Sequence, residues 1–177
     1  LKDIITTKEY MNYNEDKIFE AFKLALKKLI KMRQAEGDEI KIDIQKRIEY
    51  IKSLIIKIEQ VSATFSQIKF SRIKNKILEF LNDKSIEESR ILQEVAILTE
   101  KTDISEEIVR CKIHLNQLES YLNSDQPIGK KINFLLQELN REVNTLGSKS
   151  SDIDVSSNMI EIKNELEKIR EQNQNIL

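Results

Sequence analysis

Six isoleucines spaced three or four residues apart constrain the fold of this chain more than any other feature. They recur with the period of an α-helix and form one apolar stripe, made of Ile40, Ile44, Ile48, Ile51, Ile55 and Ile58. An earlier stripe has the same spacing and consists of Ile18, Phe22, Ala25, Leu29 and Met32. The two stripes are out of phase, and the slip falls near Glu36-Gly37. A helix through this region either bends there or turns its buried face toward a new partner.

A helix covering residues 15–60 would be roughly 65–70 Å long at 1.5 Å per residue. That length exceeds the width of a domain of this size, so the stripes need cover from other helices or from another subunit. The sequence has only 3 Gly and 1 Pro, and it is 33% charged and 40% hydrophobic. Such a composition leaves few tight turns and suits amphipathic helices. We therefore predict an all-α fold, in which long antiparallel helices form an arm beside a smaller helical bundle.

The chain divides into three parts by pattern. Residues 1–13 have no clear period and are predicted to be a linker from a missing N-terminal domain. Residues 14–84 are predicted to form the long-helix arm, and residues 85–177 a C-terminal helical domain. Within the last part, Gly147 is predicted to be the residue that ends a helix over 129–146.

Cellular context follows from a few absences in the sequence. No segment is apolar enough to span a bilayer, and no signal peptide opens the chain, so we predict no membrane association. The single cysteine, Cys111, cannot form an internal disulfide, which favours a cytoplasmic location. Cys111 lies on the apolar stripe of a helix over 104–123, and we predict that it is buried rather than reactive.

Charge is distributed unevenly. Residues 1–84 have 18 Lys and Arg against 13 Asp and Glu, whereas residues 85–177 have 11 against 17. A basic front and an acidic rear are expected if nucleic acid binds to one part and metal-binding carboxylates cluster in the other. The alternative is that the asymmetry only helps helices to pair.

Residues 128–152 combine an apolar helical stripe with an unusual polar face. Most surface helices are solubilised by repeated Lys and Glu, but this one has amides, carboxylates, a guanidinium and a hydroxyl: Gln137, Glu138, Asn140, Arg141, Glu142, Asn144 and Thr145. Short donors and acceptors at this density indicate that something polar is recognised or cleaved there. The alternative is a network of hydrogen bonds at a subunit interface.

Three segments in order carry a resemblance to a known family: QEVAILTEKTDISEEIVRCKIHL, GKKINFLLQELNREVNTLGSKS and IEIKNELEKIREQNQNI. From about Glu36-Gly37 to the end, the chain resembles the C-terminal half of the bacterial YicC/YloC endoribonucleases. Lys130 stands where Arg is common in that family, Asn133 where Asp is common, and Cys111-Lys112-Ile113 is unusual before His114. The resemblance implies a cytoplasmic enzyme that cleaves RNA with a divalent metal, Mn²⁺ or Mg²⁺, and assembles as a homohexameric ring.

Two groups of residues are candidates for the chemistry. His114, the only histidine, shares a helix flank with Glu107 and Arg110, and imidazole can move protons near neutral pH. Glu138 and Glu142 lie four residues apart on one helix face, so their carboxylates can bind a hard divalent ion. The alternatives are a structural histidine and simple ion pairs.

We predict that His114, Glu138 and Glu142 are catalytic and that Glu94, Glu138 and Glu142 bind the metal. RNA phosphates are predicted to contact the nearby cations Arg90, Arg110, Lys130, Arg141 and Lys149. Phe134 is either a platform for base stacking or a core aromatic. Two other functions stay open, namely a non-catalytic helical assembly module and an RNA-binding adaptor for another nuclease.

Overall fold

The computed structural model describes residues 15–80, 88–124, 127–150 and 152–174. These ranges form five α-helices: α1 (Glu15–Phe80), α2 (Glu88–Glu100), α3 (Ser105–Leu122), α4 (Gly129–Lys149) and α5 (Ile153–Gln174). No strand occurs within them, and the predicted all-α fold is confirmed. None of the described helices has an apolar stretch long enough to cross a bilayer. The predicted linker over residues 1–13 lies outside the described residues.

The chain separates into two compact units, Leu1–Glu39 and Ile40–Leu177. In the first unit, the large apolar side chains on α1 are exposed, from 46% for Leu26 to 64% for Phe22. The helix continues through the phase slip at Glu36-Gly37 without a break in its hydrogen-bonded pattern. In the second unit the isoleucine stripe is covered, and Ile44, Ile48 and the rest of the stripe to Ile58 are 0–1% exposed.

The second unit contains a four-helix bundle made of residues 40–62 of α1 together with α3, α4 and α5. Ion pairs show the directions of the helices. On α1, Lys52 contacts Glu119 of α3 at 2.9 Å and Arg47 contacts Glu165 of α5 at 2.7 Å. Lys112 of α3 contacts Glu59 further along α1, at 2.7 Å. Successive helices of the bundle therefore run antiparallel, as in an up-down-up-down bundle.

One core runs through the whole bundle, because the apolar stripes of its four helices contact one another. Residues 40–62, predicted as part of the arm, thus share a core with the C-terminal helices, and the compact unit begins at Ile40 rather than near residue 85. The stripe on α1 indicates burial, but nothing in that stripe indicates which helices cover it. This is why the sequence pattern alone could not assign residues 40–62 to the bundle.

The prediction that Gly147 ends a helix is wrong. α4 continues to Lys149, and Ser150 follows it as the C-terminal cap with extended backbone. A Cβ atom at Gly147 would lie 2.6 Å from the Cε of Met159 on α5. Glycine is therefore present because α4 and α5 approach closely at this point, not because the chain turns.

The other end of the α4–α5 pair is held by a buried amide. Asn173 is 3% exposed, and its Nδ2 donates to the Gly129 carbonyl and to Asn133 Oδ1, both at 3.0 Å. Asp152 begins α5 by accepting hydrogen bonds from the N–H groups of Asp154 and Val155 at 2.8 and 3.1 Å, as N-cap carboxylates do. Both ends of α5 are thus fixed, one against α4 and the other by its own cap.

Glu165 of α5 makes the stability of the bundle sensitive to acid. Partial burial alone would raise the pKa of Glu165, but hydrogen bonds from Lys168 and Arg47, at 2.6 and 2.7 Å, lower it overall. A lowered pKa in the folded state stabilises the fold above the unfolded value, near 4.3, and this contribution disappears as pH falls through the folded value.

We therefore expect Glu165→Gln to reduce the free energy of unfolding by about 2 kcal/mol at pH 7. The difference from the unmodified chain should shrink as pH falls below about 4. Urea unfolding between pH 3 and 7, followed by circular dichroism, measures this. A constant difference across that pH range would contradict the assignment.

Candidate active site

Two ion pairs, Arg110–Glu142 and Lys149–Glu107, join α3 and α4 along one line of contact, which we call the α3–α4 seam. Two contacts fix the register of these antiparallel helices. Arg110 lies beside Glu142, and Lys131 lies over the ring of Tyr121 at 5.4 Å. The seam consists of Glu107, Arg110 and His114 from α3 with Glu138, Glu142 and Lys149 from α4.

Glu107 is the most buried charged side chain of the seam. The residue is 4% exposed, and its Oε1 accepts a hydrogen bond from Lys149 Nζ at 2.7 Å. Its second oxygen, Oε2, is buried and has no hydrogen-bond partner among the described residues. A buried carboxylate oxygen that no protein group satisfies is unusual in a native fold, and it leaves an acceptor free for water or an ion.

Glu142, one of the predicted catalytic residues, is also buried, with 5% of the residue exposed. Its nearest cation is Arg110, whose Nη1 lies 3.6 Å from Glu142 Oε1. This is an ion pair but is too long for a hydrogen bond. The same guanidinium contacts Glu106 at 2.5 Å. Arg110 is 45% exposed in its side chain, so it connects the buried carboxylate with the surface.

Cys111 lies between these carboxylates and is fully buried, which confirms that prediction. Burial, together with the negative charges of Glu142 and Glu107, raises the pKa of the thiol to about 12. The thiol is therefore protonated at neutral pH and is not a nucleophile. Its surroundings also show that the two carboxylates act on one region of the seam.

His114 is partly buried, and its Nδ1 atom is buried with no hydrogen-bond partner in the described structure. It follows Arg110 by one helical turn, while Glu138 precedes Glu142 by one turn on the opposite helix. The antiparallel register therefore places His114 at the level of Glu138. No described residue uses the Nδ1 atom for a structural hydrogen bond.

The remaining predicted residues lie elsewhere. Arg90 and Glu94 are on α2, and both are exposed. Lys130 and Arg141 are on the exposed face of α4. Over the described ranges, no three His, Cys, Asp or Glu side chains come close enough to form a metal site, so the proposed set of Glu94, Glu138 and Glu142 is not gathered within one chain. Metal binding stays a prediction.

The sequence indicates Glu107 as a neighbour of His114 and as one of several carboxylates that could complete a set in space. Its spacing of three residues from Arg110 and seven from His114 put it on the same flank, and this was the available signal. What the sequence could not show is burial, because a glutamate near a helix start normally lies in solvent.

The fold and the seam define the class of protein: an all-α bundle whose described residues include a polar seam of ion-paired and partly unsatisfied carboxylates. The model of the C-terminal part of YicC-like endoribonucleases matches residues 58–177. The chain therefore belongs to the YicC-like family, as its motifs suggested.

Two relatives show the extent of the match. The chain is 48% identical over 153 residues to a protein of Clostridioides difficile (strain 630) named probable endoribonuclease YicC, covering 86% of this chain and 52% of the relative. It is 31% identical over 158 residues to a protein of the same name from Haemophilus influenzae, covering 88% and 54%. The chain spans about half the length of these relatives.

Proposed function

We propose that this chain is the part of a metal-dependent endoribonuclease that cleaves RNA phosphodiester bonds at the α3–α4 seam. One observation carries the proposal: an imidazole with an unused Nδ1 atom lies at the level of a carboxylate, in a seam whose other members are paired carboxylates and cations. A proton-transfer group beside groups that hold phosphate is the minimum that RNA cleavage requires. Relatives named probable endoribonucleases add support.

His114 would act as the acid or base. Its partly buried ring can accept a proton from a ribose hydroxyl or donate one to the leaving oxygen. Glu138, across the seam, would orient the imidazole or hold water near the scissile phosphate. Arg110 and Lys149 would bind the phosphate and stabilise the charge that develops on it. Both cations already lie in the seam, at 45% and 29% side-chain exposure, so they can reach a ligand from solvent.

The donors available fit a hydrated divalent ion. Mg²⁺ is usually held by one or two carboxylates together with water and substrate phosphates. Glu138 and Glu142, one turn apart on α4, would supply such a pair. A bound Mg²⁺ or Mn²⁺ would supply positive charge at the phosphate. Glu94 would be a ligand of this ion only if it came from another copy of the chain in an oligomer.

Cations outside the seam would extend the RNA contact. Lys130 and Arg141 lie on the exposed face of α4, and Arg90 lies on α2. Such residues bind phosphates without regard to sequence and set the register of the strand. We assign them affinity rather than chemistry, because they are displaced from His114.

A cleavage assay tests the proposal directly. Incubating the chain with end-labelled RNA should give discrete products with Mn²⁺ or Mg²⁺ and none after addition of EDTA. Binding without cleavage would favour the RNA-binding adaptor instead. If the chain neither bound nor cleaved RNA, the result would favour the assembly module. The exposed apolar residues of the first unit are the observation that supports that alternative.

We also propose that the protein works in the cytoplasm as a homohexameric ring. Ile18, Phe22, Leu29 and Met32 are 48–64% exposed on one helix, and a stripe of this kind is normally covered in an assembly. Multi-angle light scattering of the purified chain measures the mass. A monomer at all concentrations would remove the ring.

A further inference from the structure

The exposed face of α4 has an amide-rich surface with one aromatic residue in it, which we call the α4 outer face: Phe134, Gln137, Asn140, Arg141 and Asn144. All five are exposed. Phe134 is 60% exposed and therefore does not belong to the core of the described chain. This leaves base stacking as its predicted role. Phe134, Gln137 and Arg141 follow one another at three and four residues, so they form a continuous ridge.

The polar groups of this face are not used by the fold. Within the described ranges, the side-chain amides of Gln137, Asn140 and Asn144 make no hydrogen bond, and Arg141 has no acidic partner. By contrast, Asn133, at the edge of the same helix, is held by Asn173. The outer face therefore presents free donors and acceptors around a bare aromatic ring, with one cation and little net charge.

A groove borders this face along α5. It encloses about 470 Å³, and its lining includes Asn133, Gln137, Asn140, Arg170 and Gln174. Volumes of ~300–1,000 Å³ are typical of clefts that bind small ligands. Four of the eight lining residues carry amides, which can hydrogen-bond to both donors and acceptors.

We propose that the α4 outer face binds single-stranded RNA, with a base stacked on Phe134, a phosphate on Arg141 and base edges against the amides. This assignment rests on the proposed function, because it says where the RNA substrate of the α3–α4 seam would bind. Single-stranded RNA offers the chemistry that this face matches, because unpaired bases expose flat rings and mixed donor and acceptor edges. A duplex hides both, and a protein that bound only phosphates would use more cations than one.

Equilibrium binding with labelled single-stranded RNA of mixed sequence, in EDTA to prevent cleavage, tests the assignment. Phe134→Ala should raise Kd by about tenfold, the effect of losing one stacked base. Phe134→Leu should weaken binding similarly, because leucine keeps apolar area but has no ring face. Ile160→Ala is the matched control, since Ile160 on α5 is 62% exposed, and its Kd should not change.

A plot of the logarithm of the binding constant against the logarithm of salt concentration has a negative slope. Arg141→Ala should make that slope shallower by about 0.7, the value for one phosphate contact on a single strand. Lys57→Ala, an exposed cation on α1, should leave the slope unchanged. Circular dichroism should show equal helicity for all variants. RNA of the same sequence in duplex form should bind more weakly than the single strand.

Three results would overturn the assignment. Unchanged affinity of Phe134→Ala in a chain that still binds and cleaves RNA would remove it and leave the proposed function standing. A lower oligomeric mass of Phe134→Ala would show that this face contacts another subunit. If the unmodified chain bound no RNA at all, both the assignment and the proposed function would fail.

Discussion

Replacing His114 with alanine, or Glu138 with glutamine, should lower the rate of RNA cleavage by about 10²–10⁴-fold, the range for loss of a general acid or base. Both side chains lie at one level of the α3–α4 seam, and the buried Nδ1 of His114 is not engaged by the fold. Removing either should therefore affect the chemistry more than the structure. Single-turnover cleavage at saturating protein isolates the chemical step from binding.

Glu161→Gln is the matched control. Glu161 is exposed on α5, and its carboxylate only accepts a hydrogen bond from Tyr50 at 3.0 Å. Cleavage by this variant should equal that of the unmodified chain. The thermal melting and mass of the His114 and Glu138 variants should also be unchanged. Full activity in both the His114 and the Glu138 variant would exclude the α3–α4 seam as the catalytic site, even if RNA is cleaved elsewhere in the protein.

Replacing Lys149 with methionine should lower the free energy of unfolding by about 3 kcal/mol, because it leaves the buried carboxylate of Glu107 without its cation. Glu107 is 4% exposed and already has one unpartnered oxygen, so losing Lys149 leaves its carboxylate with no hydrogen bond among the described residues. The double variant Glu107→Gln with Lys149→Met should recover most of the loss, since the charge is then absent. Urea unfolding at pH 7, applied to both variants and to the unmodified chain, measures these differences.

An exposed ion pair provides the comparison. Lys112 contacts Glu59 at 2.7 Å, the same distance as Lys149 to Glu107, but the side chains are 40% and 47% exposed. Lys112→Met should therefore cost only ~0–1 kcal/mol. Equal losses for Lys112→Met and Lys149→Met would show that burial of Glu107 does not matter to stability.

The helical fold and much of the core could be predicted because apolar residues at helical spacing mark the face of a helix that can be buried. Ile44 to Ile58 on α1 and Cys111 on α3 are buried as predicted, whereas the earlier stripe, from Ile18 to Met32, has the same spacing and is exposed in the described part of the chain. The extent of the bundle could not be predicted in the same way. Which helix covers a stripe depends on contacts distant in sequence, and so residues 40–62 were assigned to an arm.

The candidate site likewise has features that the sequence predicts and features that depend on packing. His114, Arg110, Glu138 and Glu142 could be placed on helix faces by counting, and the structure brings those faces together. The depth of Glu107 and the close approach at Gly147 depend on how tightly neighbouring helices pack. A glycine looks the same in the sequence whether it permits a turn or admits the Met159 methyl group. Packing distance, not residue type, decides between them.

Because α3 and α4 are consecutive in the chain and antiparallel, all the seam's partners come from a single helical hairpin. Contacts between near neighbours in sequence form fastest, since little chain entropy is lost in closing the loop between them. During synthesis, which proceeds from the N-terminus, these groups can meet before α5 has left the ribosome. We expect α5 to pack afterwards against an α3–α4 hairpin whose polar side chains are already in contact.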